Sequence, residues 1–246
     1  IDKPFGDPIK AFAALKAGDI LYVRGGTYHL SQTIKVNQTG TADKRICVFA
    51  YPGDTERPVF DFSGQPRSTS TEAASYRGVM HNIGANYWHY RGLDFCHAAD
   101  NGMKLEGSYC VVELCRFYGN EDTGLQQGFG KDSKGNNTRN TEFKYGRNNI
   151  IVNCDAYDNN DPWTHGGNAD GFAIKLYPGP GNEFHGCRAW HNSDDGWDLY
   201  YTVFPIVVDN CWVLNNGLDK GNANGFKMGG CKQGGTSTGA HVFKNC

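Results

Sequence analysis

Apolar residues recur at fixed offsets from a series of cysteines in the second half of the chain. The residue three positions before each of these cysteines is apolar, and so is the residue two positions after it wherever the chain continues. The fifth residue after the cysteine is asparagine. The aligned cysteines are Cys96, Cys115, Cys154, Cys187, Cys211 and Cys246, and the asparagines are Asn101, Asn120, Asn159, Asn192 and Asn216. The pattern describes a repeated structural unit.

This repeat predicts a right-handed parallel β-helix, an all-β solenoid in which each unit forms one coil. No helical bundle requires an asparagine at a fixed offset in units whose lengths vary from 19 to 39 residues, whereas a solenoid accommodates the variation as loops inserted on one side. The asparagines are expected in tight turns, with their amides bonded to neighbouring coils. The cysteines should form a buried column of reduced thiols, although adjacent coils lie close enough for disulfides.

The first part of the chain predicts a short helix followed by strands. An amphipathic helix is expected from Phe5 to Lys16, with Asp7 as its N-cap and Pro8 at its first position. Strands are expected at Gly18 to Tyr28, Thr33 to Val36 and Ile46 to Tyr51. A helix in this place would cover the open end of the stacked coils and protect an exposed edge.

Length and charge limit the possible partners. The 246 residues contain no linker-like segment, which predicts one domain over 1–246. A net charge of −2 gives no general attraction to nucleic acid or anionic membranes, so an anionic ligand must be held locally. No apolar run approaches the length of a membrane span, and a monomer is expected. Because the chain stops in the middle of a coil, further C-terminal coils are also expected.

Three segments in the last third superpose on a shared glycine–aromatic pair. They are N-A-D-G-F (Asn168 to Phe172), S-D-D-G-W-D (Ser193 to Asp198) and N-A-N-G-F-K (Asn222 to Lys227), which makes Gly171, Gly196 and Gly225 equivalent. If the segments lie on neighbouring parallel strands, about 4.8 Å separates each from the next. Asp170 then stacks on Asp195, and Asp198 stacks against Lys227.

Carboxylates gathered on adjacent coils predict a calcium site. The four side chains are Asp170, Asp194, Asp195 and Asp198. Without a cation they would repel one another and raise one another's pKa. Calcium accepts many oxygen ligands in loose geometry, magnesium prefers a tight octahedral shell, and the cluster has no histidine to favour zinc. The alternative is that these are solvated turn aspartates, since Asp-Gly is a common turn pair.

Lys227 is the candidate catalytic base. A surface lysine beside an aspartate is usually an ion pair that contributes little, but here Gly225, Gly229 and Gly230 leave room for a ligand. A nearby divalent cation would lower the pKa of the ammonium, and the neutral amine can remove a proton. Candidates for binding an anionic ligand are Lys175, Lys104, Arg147 and Lys232, with an ordinary surface charge as the alternative for each.

The segments G-N-A-D-G-F, C-R-A-W-H-N-S-D-D-G-W-D and G-N-A-N-G-F-K-M-G-G resemble polysaccharide lyase family 9, the calcium-dependent pectate lyases of right-handed parallel β-helix fold. The resemblance is dense from Asn153 to Gly230 and weaker before it. It implies a secreted enzyme that cleaves polygalacturonate by β-elimination. By the same resemblance the calcium ligands would be Asp170, Asp194, Asp195 and Asp198, and Lys227 would be the Brønsted base.

Three alternatives to a pectate lyase differ in what they require of the sequence. A β-helical hydrolase with paired aspartates would need G-H-G and R-x-K motifs, which do not accompany Asp194 and Asp195. A lyase of the same family acting on rhamnogalacturonan would share the machinery and differ only in its subsites. A non-catalytic glycan-binding β-helix would use calcium structurally, and it would gain nothing from Lys227 beside the ligands.

Overall fold

The computed structural model describes residues 4–67, 76–128, 144–230 and 239–246, which contain one helix and 22 strands. The helix α1 is Pro8–Ala14, and the strands are β1 Ile20–Val23, β2 Gly26–His29, β3 Ile34–Val36, β4 Ile46–Ala50, β5 Pro58–Asp61, β6 Val79–His81, β7 Trp88–Arg91, β8 Asp94–Cys96, β9 Met103–Leu105, β10 Val111–Glu113, β11 Arg116–Tyr118, β12 Leu125–Gln127, β13 Ile150–Val152, β14 Asp155–Tyr157, β15 Phe172–Ile174, β16 Glu183–His185, β17 Arg188–Trp190, β18 Trp197–Tyr200, β19 Val207–Asp209, β20 Trp212–Leu214, β21 Phe226–Gly230 and β22 Val242–Lys244.

The strands form three parallel sheets. Sheet A has the order β1-β4-β7-β10-β13-β16-β19-β22, sheet B the order β2-β5-β8-β11-β14-β17-β20, and sheet C the order β21-β18-β15-β12-β9-β6-β3. Successive strands pass from one sheet to the next, so three strands make one coil and every third strand pairs in parallel with its predecessor. The predicted parallel β-helix is confirmed.

Identical or similar side chains stack along the interior of the β-helix. On sheet B the rings of Phe60, Phe95 and Phe117 are fully buried, with centroids 5.3 and 5.5 Å apart. This spacing follows from the distance of about 4.8 Å between neighbouring strands. The apolar side chains of each coil therefore pack against those of the neighbouring coils, and the core is continuous along the β-helix.

The predicted N-terminal helix is present but shorter than expected. Asp7 caps it, because its carboxylate accepts a hydrogen bond from the amide of Ile9 at 2.9 Å, and the helix ends where Leu15 takes an extended backbone. Phe12 packs against Phe60 and Trp88, with ring centroids 5.9 and 6.4 Å away, so α1 covers the first coils as predicted. Among the described residues no helix has the length and apolar character needed to cross a membrane.

Most of the predicted cysteines form the expected column. The residues at equivalent positions are Cys115, Cys154, Cys187, Cys211 and Cys246. The cysteines in the described part of the chain are free thiols. Their sulfur atoms accept backbone hydrogen bonds between coils, as in the 3.4 Å contact from the amide of Cys115 to Cys154 Sγ. The prediction of reduced, buried thiols is therefore confirmed for Cys115, Cys154, Cys187 and Cys211, whereas Cys246 is a free but exposed thiol and Cys231 lies outside the described residues.

The prediction was wrong for the first member of the repeat. The register pairs Cys96 with Tyr118 rather than with Cys115, so Leu93 occupies the column position. Asn101 correspondingly donates a hydrogen bond to Gln126 Oε1 at 3.0 Å and takes no part in the asparagine stack. The error arose because a shift of three residues preserves the apolar pattern around the cysteine.

The other four asparagines form a continuous ladder. Each side-chain amide nitrogen donates to the side-chain oxygen of the next asparagine, at 2.9 Å from Asn120 to Asn159, 2.8 Å from Asn159 to Asn192 and 2.9 Å from Asn192 to Asn216. The backbone amide of Ala98 donates to Asn120 Oδ1 at 3.0 Å, which ends the ladder. The predicted role of these asparagines is confirmed.

Candidate active site

The backbone that positions the candidate site is a set of superposed turns on sheet C. The turn amide of Gly171 donates to the carbonyl of Asp195 at 2.9 Å, and the amide of Gly196 donates to the carbonyl of Asn224 at 2.9 Å. The strands β15, β18 and β21 that follow these turns are direct neighbours in the sheet. The predicted equivalence of the three glycine turns is therefore confirmed.

Aromatic residues directly after the glycines anchor each turn to the core. The rings of Phe172 and Trp197 lie 4.9 Å apart, and those of Trp197 and Phe226 lie 5.1 Å apart. Glycine is required beside them, because a Cβ at Gly196 would lie 2.1 Å from Val213 Cγ2. The stacked rings and the close packing at the glycine therefore fix where each turn lies on the core. The side chains before and after the turn are fixed with it.

Three of the predicted acidic residues converge directly. One carboxylate oxygen from each of Asp170, Asp194 and Asp195 can be chosen so that all lie within 4.8 Å of one another, and all three side chains are buried. Asp198 is also buried, and its Oδ1 accepts the amide of Tyr200 at 2.9 Å. We refer to the four aspartates as the acidic cluster.

Neighbouring polar groups hold the cluster's carboxylates in place. Asp170 accepts hydrogen bonds from the amide of Asp195 at 3.2 Å and from the hydroxyl of Thr123 at 3.1 Å. Asp195 Oδ1 accepts from the backbone and side-chain nitrogens of Asn224, at 2.9 and 2.8 Å. Asp194 accepts from the amide of Asn222. Thr123 was not predicted as part of the site, because its coil carries none of the three superposed segments.

Two lysines reach the acidic cluster. Lys227 pairs in register with Asp198, and its Nζ lies 3.0 Å from Asp195 Oδ2 and 3.6 Å from Asp198 Oδ2. The Nζ of Lys175 lies 2.8 Å from Asp170 Oδ2 and 3.2 Å from Asp198 Oδ2. Four carboxylates and two ammonium groups leave the cluster with a formal charge of −2.

A small residue lets Lys175 fold back onto the cluster. The outward row of sheet C runs from Gln126 to Ala173 and then to Asp198. Lys175 is two residues beyond Ala173, so it emerges on the same face of the strand and is a diagonal neighbour of Asp198. Because Ala173 offers only a methyl group, the lysine side chain can lie across its position.

The pKa values of Asp170, Asp194 and both lysines are raised, those of the two acids by burial and those of the lysines by the neighbouring carboxylates. Burial raises the pKa of Asp170 to about 7, with Lys175 opposing and Asp198 adding to the shift. Burial likewise raises the pKa of Asp194. Although burial disfavours the charge of Lys227, the carboxylates of Asp198 and Asp195 raise its pKa. Without further cations Asp170 and Asp194 are therefore more easily protonated than ordinary carboxylates, and both lysines favour the ammonium form.

The donor set of the acidic cluster suits a hard divalent cation. It is built of carboxylate oxygens, which are the ligands calcium prefers. The buried Oδ2 of Asp195 accepts no hydrogen bond within the described residues, and the Lys227 ammonium beside it makes only an ion-pair contact. Among the described contacts this oxygen is thus approached only by a positive charge, the Lys227 ammonium, and a bound cation could supply the same compensation. The residues present therefore fit calcium.

The other predicted ligand-binding residues lie elsewhere or outside the description. Lys104 lies in the same outward row as Asp198 but three coils away, and it is buried. Arg147 places its guanidinium 5.5 Å from the ring centroid of Tyr109, and none of its described contacts is with the acidic cluster. Lys232 falls outside the described residues.

An aromatic residue beside Lys227 was missed in the sequence. The Nζ of Lys227 lies 5.9 Å from the ring centroid of Tyr200, whose side chain is exposed. The ring of Tyr200 stacks on Tyr201 with centroids 3.8 Å apart. Strand alternation from Asp198 would have placed Tyr200 on the same face, but no spacing rule distinguishes it from other exposed tyrosines.

Fold and site together define a parallel β-helix with a buried acidic cluster on one sheet. A family model described as "Pel9A-like, right handed beta helix region" matches residues 1–246. The chain therefore belongs to the Pel9A-like right-handed β-helix family. Relatives include pectate lyase L of Dickeya dadantii, 36% identical over 89% of this chain and 50% of the relative, and pectate lyase PEL9 of Emericella nidulans, 29% identical over 100% and 62%.

Two solved structures resemble the chain equally well in their backbone. The crystal structure of pectate lyase Pel9A matches with a TM-score of 0.74 and 35% identity, over 89% of this chain and 53% of that one. A rhamnogalacturonan lyase matches with a TM-score of 0.74 and 26% identity, over 98% of this chain and 62% of that one. The chain spans about half the length of pectate lyase L from Dickeya dadantii.

Proposed function

We propose that this protein is a calcium-dependent pectate lyase that cleaves polygalacturonate by β-elimination, with Lys227 as the base. The observation that supports this best is the position of the Lys227 ammonium, 3.0 Å from one buried carboxylate of the acidic cluster and 3.6 Å from another. The pectate lyases among the relatives support the substrate class. A secreted location accords with a polymeric plant substrate and is part of the proposal.

Asp170, Asp194, Asp195 and Asp198 would hold the calcium ion. When bound, calcium would neutralise the carboxylate of a uronate and so acidify the neighbouring C5–H bond. The four aspartates are held on the rigid turns of sheet C, which keeps the ligand oxygens in place before a cation arrives. Hydrogen bonds from Thr123 and Asn224 fix the orientation of Asp170 and Asp195.

Lys227 would remove the C5 proton of the uronate. The reaction breaks the C5–H bond and the C4–O4 bond and forms a C4–C5 double bond, so the proton goes to the lysine amine and the electron pair of the C4–O4 bond leaves with oxygen. The base must be neutral when it acts. Asp195 and Asp198 favour the ammonium in the absence of a bound cation, so sharing these carboxylates with calcium is what would release the amine.

The leaving oxygen needs a proton, and two donors remain for it. Water can supply it, or Lys227 can return the proton that it has removed. The exposed ring of Tyr200 beside Lys227 offers an apolar face on which a sugar ring can stack. Tyr200 would then orient the uronate toward the amine without taking part in proton transfer.

A rhamnogalacturonan lyase is the second candidate. The observation that favours it is the match to a rhamnogalacturonan lyase over 98% of this chain with the same TM-score as the match to Pel9A. The two activities share the elimination step and differ in the sugar next to the uronate. The residues of the acidic cluster and Lys227 would serve both substrates.

The direct test is to assay polygalacturonate and rhamnogalacturonan side by side and follow the ultraviolet absorbance of the unsaturated product. The proposal expects product from polygalacturonate with calcium, loss of activity on chelation, and recovery when calcium is restored. Product from rhamnogalacturonan alone would select the second candidate. Binding of either polymer with no unsaturated product would contradict both lyase functions and favour a glycan-binding module.

A further inference from the structure

A second cluster of metal-ligating side chains lies on sheet B, remote from the acidic cluster of sheet C. The register places His29 at the end of β2 opposite Asp61 at the end of β5, and Asp61 opposite Cys96 at the end of β8. His97 follows Cys96 directly. Four side chains from three consecutive coils therefore meet near the N-terminal end of the β-helix.

The backbone at His97 turns its side chain toward this cluster. Neighbouring residues in a strand normally point to opposite faces, but His97 has a φ of 57°, which ends the strand alternation after Cys96. The imidazole lies over Gly119, where a Cβ would approach His97 Cδ2 to 2.8 Å. The chain therefore accommodates His97 by leaving out a side chain on the next coil.

Asp61 is the centre of the cluster. Its Oδ1 lies 3.0 Å from His97 Nδ1, and its Oδ2 lies 3.1 Å from His29 Nδ1. The side chains of His29 and His97 are 73% and 48% exposed, whereas that of Asp61 is 14% exposed. The carboxylate is thus fixed on a strand beneath two imidazoles that can turn.

A buried free thiol completes the set. Cys96 is 1% exposed, and ligand atoms of Asp61, Cys96 and His97 can be chosen so that all lie within 4.8 Å of one another. Metal–ligand bonds of about 2.0–2.3 Å place the ligands of a tetrahedral zinc ion roughly 3.3–3.8 Å apart. The exposed imidazoles of His29 and His97 would rotate toward Asp61 and Cys96 to close this difference.

We propose that His29, Asp61, Cys96 and His97 form a second metal site, which binds one zinc-class divalent cation and ties the first three coils of sheet B together. One sulfur, two nitrogens and one carboxylate oxygen make a borderline-soft donor set that suits zinc rather than calcium. On binding, the Cys96 thiol releases its proton to solvent and its sulfur takes up the metal. The site is structural, because all four tetrahedral positions are filled by protein ligands.

The experiment uses Zn²⁺ and Co²⁺ with the whole chain under reducing conditions. Titration calorimetry should show one Zn²⁺ bound in addition to any calcium, and the Co²⁺ form should have a near-ultraviolet thiolate-to-cobalt charge-transfer band. Cys96→Ser should abolish that band and weaken zinc binding by at least about tenfold, the loss known for weaker outer-shell changes. His97→Ala, which alters an exposed side chain, should weaken zinc binding without disturbing the fold.

His185→Ala is the matched control. His185 also lies between two carboxylates, with Nε2 2.9 Å from Glu183 and Nδ1 3.7 Å from Asp209, but neither of these contacts involves a thiol. This variant should leave zinc affinity and the cobalt band unchanged. The proposal is overturned if Cys96→Ser keeps the band, or if wild type and His97→Ala bind zinc equally, since the cluster would then be a set of ion pairs only.

Discussion

The asparagine ladder and the acidic cluster use the same coil spacing for opposite purposes. In the ladder, Asn159 donates to Asn192 at 2.8 Å and accepts from Asn120 at 2.9 Å, so each amide satisfies its neighbours. In the acidic cluster, Asp170 stacks on Asp195, and when both are ionised neither side chain can donate a hydrogen bond to the other. One stack is complete in itself, and the other depends on lysines and a cation.

The difference shows how a solenoid can separate stability from function. An amide is both donor and acceptor, so its repetition stabilises the stack without a ligand. A carboxylate only accepts when ionised, so its repetition creates mutual repulsion, which adds to the larger effect of burial in raising the pKa of Asp170. Binding sites are therefore expected where like charges are repeated along a coil row, and not where amides are.

The largest effect is expected from removing Lys227, the proposed base beside the acidic cluster. Lys227→Met should lower the turnover number on polygalacturonate by about 10³- to 10⁴-fold, the upper part of the range for a general base. Far-ultraviolet circular dichroism should be unchanged, because the Lys227 side chain lies outside the core. Lys220→Met, which removes an exposed lysine, is the control and should keep wild-type activity. Comparable losses in both variants would refute the assignment.

Placing a charge in the asparagine ladder should destabilise the fold. In Asn159→Asp, one new oxygen faces Asn192 Oδ1 and the carbonyl of Phe117, which now accept hydrogen bonds from Asn159 at 2.8 and 3.3 Å. An unpaired buried charge should lower the free energy of unfolding by about 3–4 kcal/mol. Urea denaturation measures this change.

The ladder end provides the control for that substitution. Asn216 is partly exposed, so Asn216→Asp should cost less than half as much. An equal cost at both positions would mean that the ladder does not act through burial.

Removing one carboxylate from the acidic cluster should lower calcium affinity and leave the free energy of unfolding nearly unchanged. Asp194 is the member of the cluster with no described lysine ion pair, so Asp194→Asn removes one ligand charge without breaking an ion pair, and its amide oxygen can still accept from Asn222. We expect calcium affinity to fall by about 10- to 100-fold, with the free energy of unfolding of the chelated protein changed by less than about 0.5 kcal/mol. Calorimetry and urea denaturation in a chelator measure the two. A large loss of stability without calcium would contradict the comparison.

The smallest effect is expected from Lys175, which neutralises the cluster internally. Because its ammonium occupies the oxygens of Asp170 and Asp198 that a cation would use, Lys175→Met should raise calcium affinity by about tenfold, or 1.4 kcal/mol. Calorimetric titration of wild type, Lys175→Met and the Lys220→Met control measures the change. If the affinity falls instead, Lys175 positions the ligand oxygens and does not compete for them.

The sequence was sufficient for the register of the three glycine turns but not for the side-chain network around them. The glycine–aromatic pairs predicted that Lys227 stands opposite Asp198, because a parallel sheet converts equal offsets into contact. Lys175 is a predicted substrate-binding residue, but in the structure its Nζ lies 2.8 Å from Asp170 Oδ2 on the same coil and 3.2 Å from Asp198 Oδ2 on the next. Spacing rules predict which residues are neighbours along one row of a sheet. A long side chain can reach residues in several rows, and spacing does not predict which.

The misplaced first coil shows the limit of the pattern itself. Cys96 and Asn101 met every rule of the repeat while lying three residues out of register, because Leu93 and Ala98 are apolar just as Tyr90 and Phe95 are, the residues that hold the equivalent positions in the structure. Apolar identity fixes which face of a strand is buried but not which coil position a residue occupies. The hydrogen bond from Ala98 to Asn120, which only the structure reveals, resolves the alignment.

Because the column consists of free cysteines, unfolding is expected to be irreversible in an oxidising medium. In the native coil the thiols from Cys115 to Cys211 are screened from oxidants, but a melted chain exposes all of them at once, and chance disulfides then form among wrong partners. Recovery after heating should therefore depend on added reductant. Outside a reducing compartment, the lifetime of the folded protein therefore depends on its unfolding rate, and not on its free energy of unfolding alone.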